Sequence, residues 1–123
     1  MKASEIIQQD AERNGVSPEA ALSSVKKQIQ FKNALLLQEN DSVVLLTEIA
    51  PKTAEIHLFT VEKMSKLVSS IKGLLEKIKN SNIDLVYGKA DNPEIIRLMQ
   101  LAGVPVEESD NPNYNWKAQT WAQ

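Results

Sequence analysis

Few side chains in this sequence can move a proton near neutral pH. His57 is the only histidine, and there is no cysteine. Thiolate catalysis, disulfides and Cys-ligated zinc are therefore excluded, and two-histidine metal sites cannot form within one copy. Glu55 stands two residues before His57 in a segment that alternates like a strand. That spacing puts a carboxylate and an imidazole on one face of the strand. Ordinary half-solvated strand positions account for the same residues. The carboxylates Glu39, Asp41 and Glu48 read as loop or strand-surface groups. Trp116 and Trp121, near the end of the chain, carry much of its aromatic area.

The elements that must position these groups follow from periodicity. Ala54–Thr60 alternates, with Ile56 and Leu58 on one side and His57 and Phe59 on the other. Residues 61–79 switch to helical spacing, with Met64, Leu67, Val68, Ile71, Leu74, Leu75 and Ile78 in one apolar stripe. Asp84–Tyr87 reads as a short strand and Asn92–Ala102 as a helix, stopped by Gly103. Strands joined by a helix of this length should lie parallel, with a right-handed crossover.

Upstream, Ala3–Arg13 is predicted to be a helix stopped by Asn14-Gly15. Ser17-Pro18-Glu19 starts a second helix that ends near Gln30. Ala34–Gln38 and Ser42–Ile49 form a hairpin around Glu39-Asn40-Asp41, and Pro51-Lys52-Thr53 turns into the next strand. Downstream, Asn92-Pro93-Glu94 is a helix cap. Pro105–Glu108 reads as an edge strand, and Tyr114–Trp121 as a last strand with Tyr114, Trp116, Ala118 and Thr120 on one side.

At 123 residues the chain is one domain. With 42% hydrophobic and 24% charged residues it reads as a soluble globular protein. A net charge of −2 gives no basic field for nucleic acid. No apolar run is long enough to span a membrane. Met1–Asn14 lacks the pattern of a secretory signal. The long helix carries five lysines against two glutamates, a basic solvated face.

The order of helix, helix, three antiparallel strands, helix, strand, helix and two strands resembles the Gcn5-related N-acetyltransferase (GNAT) superfamily. That implies an α/β fold with a mixed sheet and a βαβα crossover. No first strand precedes the first helix. The stretch from Asn92 to Val104 is similar to the superfamily's capped helix, with Asn92, Leu98 and Gly103 at matching positions. The small size also resembles degenerate members of this fold from short-tailed bacteriophages, which are associated with virion assembly.

In an enzyme of this superfamily, backbone N–H groups at the start of the crossover helix hold the cofactor's pyrophosphate. The corresponding stretch, Thr60–Lys66, has no glycine, and Glu62 puts negative charge there. Thr60 is expected to cap the helix, with Glu62 in its first turn. The resemblance makes Leu58, Phe59, Thr60, Lys63, Ser65, Lys66 and Asn92 the cofactor-binding candidates. It makes Glu55 and His57 the candidate general bases for an amine. The superfamily's tyrosine acid is matched by Met99, which has no proton to give; Tyr87, Tyr114 or a water would have to substitute.

Losing both the glycine loop and the tyrosine leads to the expectation of a non-catalytic, cofactor-free binding or assembly protein. It would sit in a virion or the host cytoplasm, and pack against virion proteins or itself through Trp116 and Trp121. The alternative is an acetyl-coenzyme A-dependent N-acyltransferase with a divergent phosphate loop. A small regulatory inhibitor of a host protein is a third expectation. No metal, nucleic acid or membrane partner is expected.

Overall fold

The computed structural model describes residues 1–89 and 93–120. Helix α1 spans Ala3–Arg13 and α2 spans Pro18–Phe31. Strands β1 (Ala34–Glu39), β2 (Ser42–Ala50) and β3 (Thr53–Thr60) follow, then α3 (Met64–Asn80) and β4 (Leu85–Gly88). Helix α4 (Pro93–Leu101), β5 (Val106–Glu108) and β6 (Trp116–Gln119) complete the order. The strands form one six-stranded sheet in the order β1-β2-β3-β4-β6-β5. The β3–β4 pair is parallel, as a helical crossover requires, and every other pair is antiparallel.

Local chemistry explains the boundaries. The Ser17 hydroxyl accepts from the Ala20 N–H, and Pro18 takes the first helical position. Asn40 turns the β1–β2 hairpin with φ 52°, a left-handed conformation that asparagine tolerates. Gly103 ends α4 with φ 87°.

Side chains alternate across the sheet. Val44, Leu46 and Ala54 pack with α3 and α4, whereas Val43, Leu45 and Phe59 pack under α1 and α2. The α3 stripe is buried from Leu67 to Ile78, but Met64 lies at its exposed start, 43% accessible. The helix starts later than its apolar period suggests, because residues 61–63 carry the chain off the end of β3.

Trp116 corrects the expectation of an aromatic docking surface. Its ring is only 6% exposed and lies across Gly88 on β4. Any Cβ at Gly88 would run into the indole. Gly88→Ala is therefore expected to destabilise the fold by about 1–3 kcal/mol through overpacking. A thermal melt would show it, and an unchanged midpoint would rule the contact out as a constraint. Trp121 and Asn92 lie outside the described residues.

Candidate active site

Strands β3 and β4 pair only through Thr53↔Leu85, Ala54↔Val86 and Glu55↔Tyr87. Beyond Glu55, β3 continues for five residues to Thr60 with no strand among the described residues paired to that edge, so the two strands part like a fork. The Lys52 carbonyl accepts from Asp84 and Leu85 on this side. By the two-residue period, Leu58 then directs its N–H and C=O into the gap. The Thr60 N–H lies on the same side but is already engaged, donating to Asp10 Oδ1 at 3.1 Å. Phe59 pairs with Val43 and turns its side chain to the opposite face. Of the three strand residues expected to line a cofactor, Leu58 alone offers a backbone donor to the gap.

The unpaired edge of β3 leads directly to the N-terminus of α3. There Lys66 and Leu67 donate to the Lys63 carbonyl, which leaves the Met64 and Ser65 amides at the open end of the helix. Lys63 is the N-cap residue and makes no side-chain cap. No acid stands in the first turn, and Lys63, Ser65 and Lys66 are exposed. A positive helix end flanked by two lysines is suited to an anion.

Glu62 corrects the reading of this turn as too acidic. Its carboxylate folds back into the protein, accepting from Ser42 Oγ at 2.6 Å and from Ser70 Oγ at 2.7 Å. Ser70 in turn accepts from Asn40 Nδ2 at 3.0 Å. The Glu62 N–H donates to Thr60 Oγ1 at 3.0 Å. Each hydroxyl has a single proton. Because Ser42 gives its proton to Glu62, Thr60 must donate across the 2.7 Å contact to Ser42. Thr60 therefore closes this circuit and does not cap α3. The negative charge is spent on fastening β2, the β1–β2 turn and α3 together.

On the opposite face of β3, α1 and α2 stand over a cleft of about 420 Å³. Its lining includes Asp10, Gln28, Thr47, Glu55, His57 and Phe59. Glu55 and His57 thus share one site, and they do so with an acid from α1. Asp10 follows Ile6 by four residues, so it lies on the helix face that is buried. A carboxylate on an apolar stripe is the signal that sequence reasoning passed over.

The protein around His57 partly strips its hydration, which lowers its pKa below the ordinary 6.5 despite attraction from Asp10 and Glu55. The imidazole is therefore neutral at pH 7, with a lone pair free to take a proton. Its ring packs 4.3 Å from that of Phe59, centroid to centroid. Burial raises the pKa of Asp10, opposed by the Thr60 N–H, His57, Asn14 and Arg13.

Glu55 is less free. Lys89 Nζ lies 3.4 Å from one of its oxygens, and Tyr114 Oη donates to the other at 3.5 Å. Lys89 also sits 5.7 Å from the Tyr114 ring centre. Burial and the Glu55 charge hold the Tyr114 phenol above its usual pKa, so it keeps its proton. Tyr87 donates to Asp110 Oδ1 at 2.7 Å, and this bond keeps its phenol protonated. Met99 packs against the core as a thioether.

No protein-family model matches the chain, and no curated protein matches it in sequence. Solved structures do match. A variant of the spermidine N-acetyltransferase of Vibrio cholerae superposes with a TM-score of 0.60, covering 94% of this chain and 86% of that one at 15% identity. Gcn5 from Tetrahymena gives a TM-score of 0.56 at 11% identity, covering 95% of this chain and 86% of that one. A Bacillus subtilis acetyltransferase solved in complex with coenzyme A gives 0.50 at 14% identity, covering 79% of this chain and 80% of that one. The fold is that of the GNAT acetyltransferases.

These neighbours overturn the expectation of a non-catalytic assembly protein that takes no cofactor. All three are acetyltransferases, and one was solved with coenzyme A. The resemblance to virion proteins rested on the small size of the chain, and none of these three neighbours is a virion protein. No helix among the described residues is long and apolar enough to cross a membrane. No cluster of metal-ligating side chains occurs among them either.

Proposed function

We propose that this chain is an acyl-coenzyme A-dependent N-acyltransferase, with the coenzyme in the β3–β4 fork and the acceptor amine in the α1/α2 cleft. The observation that carries the reading is the unpaired β3 edge running from Glu55 to an uncapped, lysine-flanked helix end. The residues fit the coenzyme's chemistry. The Met64 and Ser65 amides, with Lys63 and Lys66, are donors and cations for a pyrophosphate. The Leu58 N–H and C=O are placed to pair with an amide-bearing arm. From Glu55 to Thr60 this track is roughly 17 Å long, at about 3.3 Å per residue.

When bound, acyl-coenzyme A supplies an acyl group activated as a thioester. The chain's own part is to orient and to move a proton. His57, neutral at working pH, accepts the proton of an ammonium or amine entering the cleft. Asp10 stabilises the resulting imidazolium through space. Glu55, held by Lys89 and Tyr114, presents a fixed negative charge at the fork apex that attracts a cationic acceptor. Tyr114, still protonated, donates to Glu55 at that apex; the Met99 thioether cannot act as an acid.

The test is release of free thiol from acetyl-coenzyme A in the presence of a panel of primary amines. Amine-dependent release is expected. No release with any amine in the panel, together with failure to bind the coenzyme, would end the proposal. The pH profile adds a second check. The rate should rise with pH through the His57 pKa, below 6.5, and level off above it. Asp10→Asn removes a charge that raises that pKa, so the rising limb should move to lower pH. The asparagine oxygen can still accept from the Thr60 N–H. A limb that stays put would separate Asp10 from His57.

A further inference from the structure

Strand β1 ends the sheet, and among the described residues no strand pairs with its outer side. It is six residues long, and its register with β2 runs unbroken from Ala34↔Thr47 to Glu39↔Ser42. It has no bulge, no proline and no charge between Ala34 and Gln38, the devices that normally protect an edge. Its Leu35 is 44% exposed, and Phe31, four residues before Leu35, is 75% exposed.

The backbone groups on this edge can be assigned. The Glu48 N–H donates to Asn33 O, so odd-numbered residues face β2 and even-numbered residues face outward. Two outward groups are already satisfied. Ala34 donates its N–H to Lys32 O, and the Gln38 carbonyl accepts from Lys77 Nζ. What remains is the Ala34 carbonyl, the Leu36 N–H and C=O, and the Gln38 N–H.

This pattern is self-complementary. We infer that the outer edge of β1 pairs antiparallel with β1 of a second copy, centred on Leu36 opposite Leu36. In that register the two Leu36 residues exchange both of their bonds, and each Gln38 N–H meets the Ala34 carbonyl of the other copy. In the same register each Ala34 N–H would face the Gln38 carbonyl of the other copy, but both groups are already satisfied internally, so the Leu36 pair and the two Gln38-to-Ala34 bonds carry the contact. A two-fold axis through Leu36 makes the contact isologous and closed.

The side chains agree with the register. Leu35 falls opposite Leu37 of the second copy, on the α3 face. Lys32 falls opposite Asn40 of the second copy, and the neighbouring Glu39 and Asp41 keep their own partners, Lys77 and the Met1 ammonium. Stable interfaces bury on the order of 1,000 Å² in all. Two edges of about 20 Å, flanked by both copies of the exposed Phe31 and Leu35, contribute to that area.

Light scattering across a concentration series tests the pairing, together with amide hydrogen exchange at each concentration. The mass should climb from 13.7 kDa towards twice that value. Leu36 and Gln38 amides should be protected in the heavier species and exchange freely after dilution. Leu35→Lys puts a charge on the edge, and Gln38→Pro removes an outward N–H that takes no part in the β1–β2 ladder. Each should hold the single-copy mass with an unchanged circular dichroism spectrum. A mass of 13.7 kDa at every concentration would overturn the inference. So would a dimer whose Leu36 and Gln38 amides exchange freely, or protection of those amides that dilution does not remove. Exchange in the unaltered protein decides the matter if either variant fails to fold.

Discussion

Reversing both charges in Lys63→Glu/Lys66→Glu should weaken acetyl-coenzyme A binding by about a hundredfold or more. Each lysine stands at the open end of α3, where the Met64 and Ser65 amides and the helix dipole already favour an anion. A charge-assisted contact to a phosphate is typically worth about 1.5–3 kcal/mol, and reversal adds repulsion. Both side chains are exposed, and neither forms an ion pair among the described residues. The fold should therefore survive, with an unchanged melting temperature. Lys72→Glu alters the same helix two turns further on and serves as the control. It should leave binding within about twofold, since such fields fall off within the first turn. Equal losses in the control and the double variant would mean that net charge alone was being measured.

His57→Ala should lower kcat/KM for the amine by about 10²- to 10⁴-fold, the usual contribution of a positioned base. Coenzyme binding should be unaffected, because His57 faces the α1/α2 cleft and the fork lies on the β4 side of the strand. That split between turnover and binding distinguishes a base from a structural residue. His57 is exposed at the cleft, so its removal leaves no buried cavity. Full activity in His57→Ala would transfer the role to Glu55, whose carboxylate is shared with Lys89 and Tyr114.

Much of this architecture is legible from short-range signals. The Ser17-Pro18 start of α2, the Asn40 turn and the Gly103 stop each act within a few residues of themselves. The crossover of β3, α3 and β4 follows from one switch of period, from two to about 3.6. The alternation that puts Glu55 and His57 on a shared face is equally local.

What the sequence hides is long-range. Glu62 reads as a first-turn acid until Ser42, twenty residues before it, and Ser70, eight after, are brought against it. Ser70 looks like a solvated serine on a basic helix, yet it is fully buried. The start of α3 shifts with this network, and so does the sign of the field at its end. Trp116 reads equally well as an interface anchor or a core residue; Gly88 decides it by making room for the indole. Asp10 is invisible as a site residue until α1 is laid over β3 and its carboxylate reaches Thr60. The fork has no motif either. It arises because β4 is only four residues long and β3 is eight.

Calorimetric titration of the intact chain with acetyl-coenzyme A bears most directly on whether the β3–β4 fork holds this ligand. Saturable binding at one site per chain, lost in Lys63→Glu/Lys66→Glu and retained in His57→Ala, is the expected result. No detectable heat at millimolar ligand, from protein shown to be folded by its melt, would mean that the fork and the open end of α3 are not a coenzyme site.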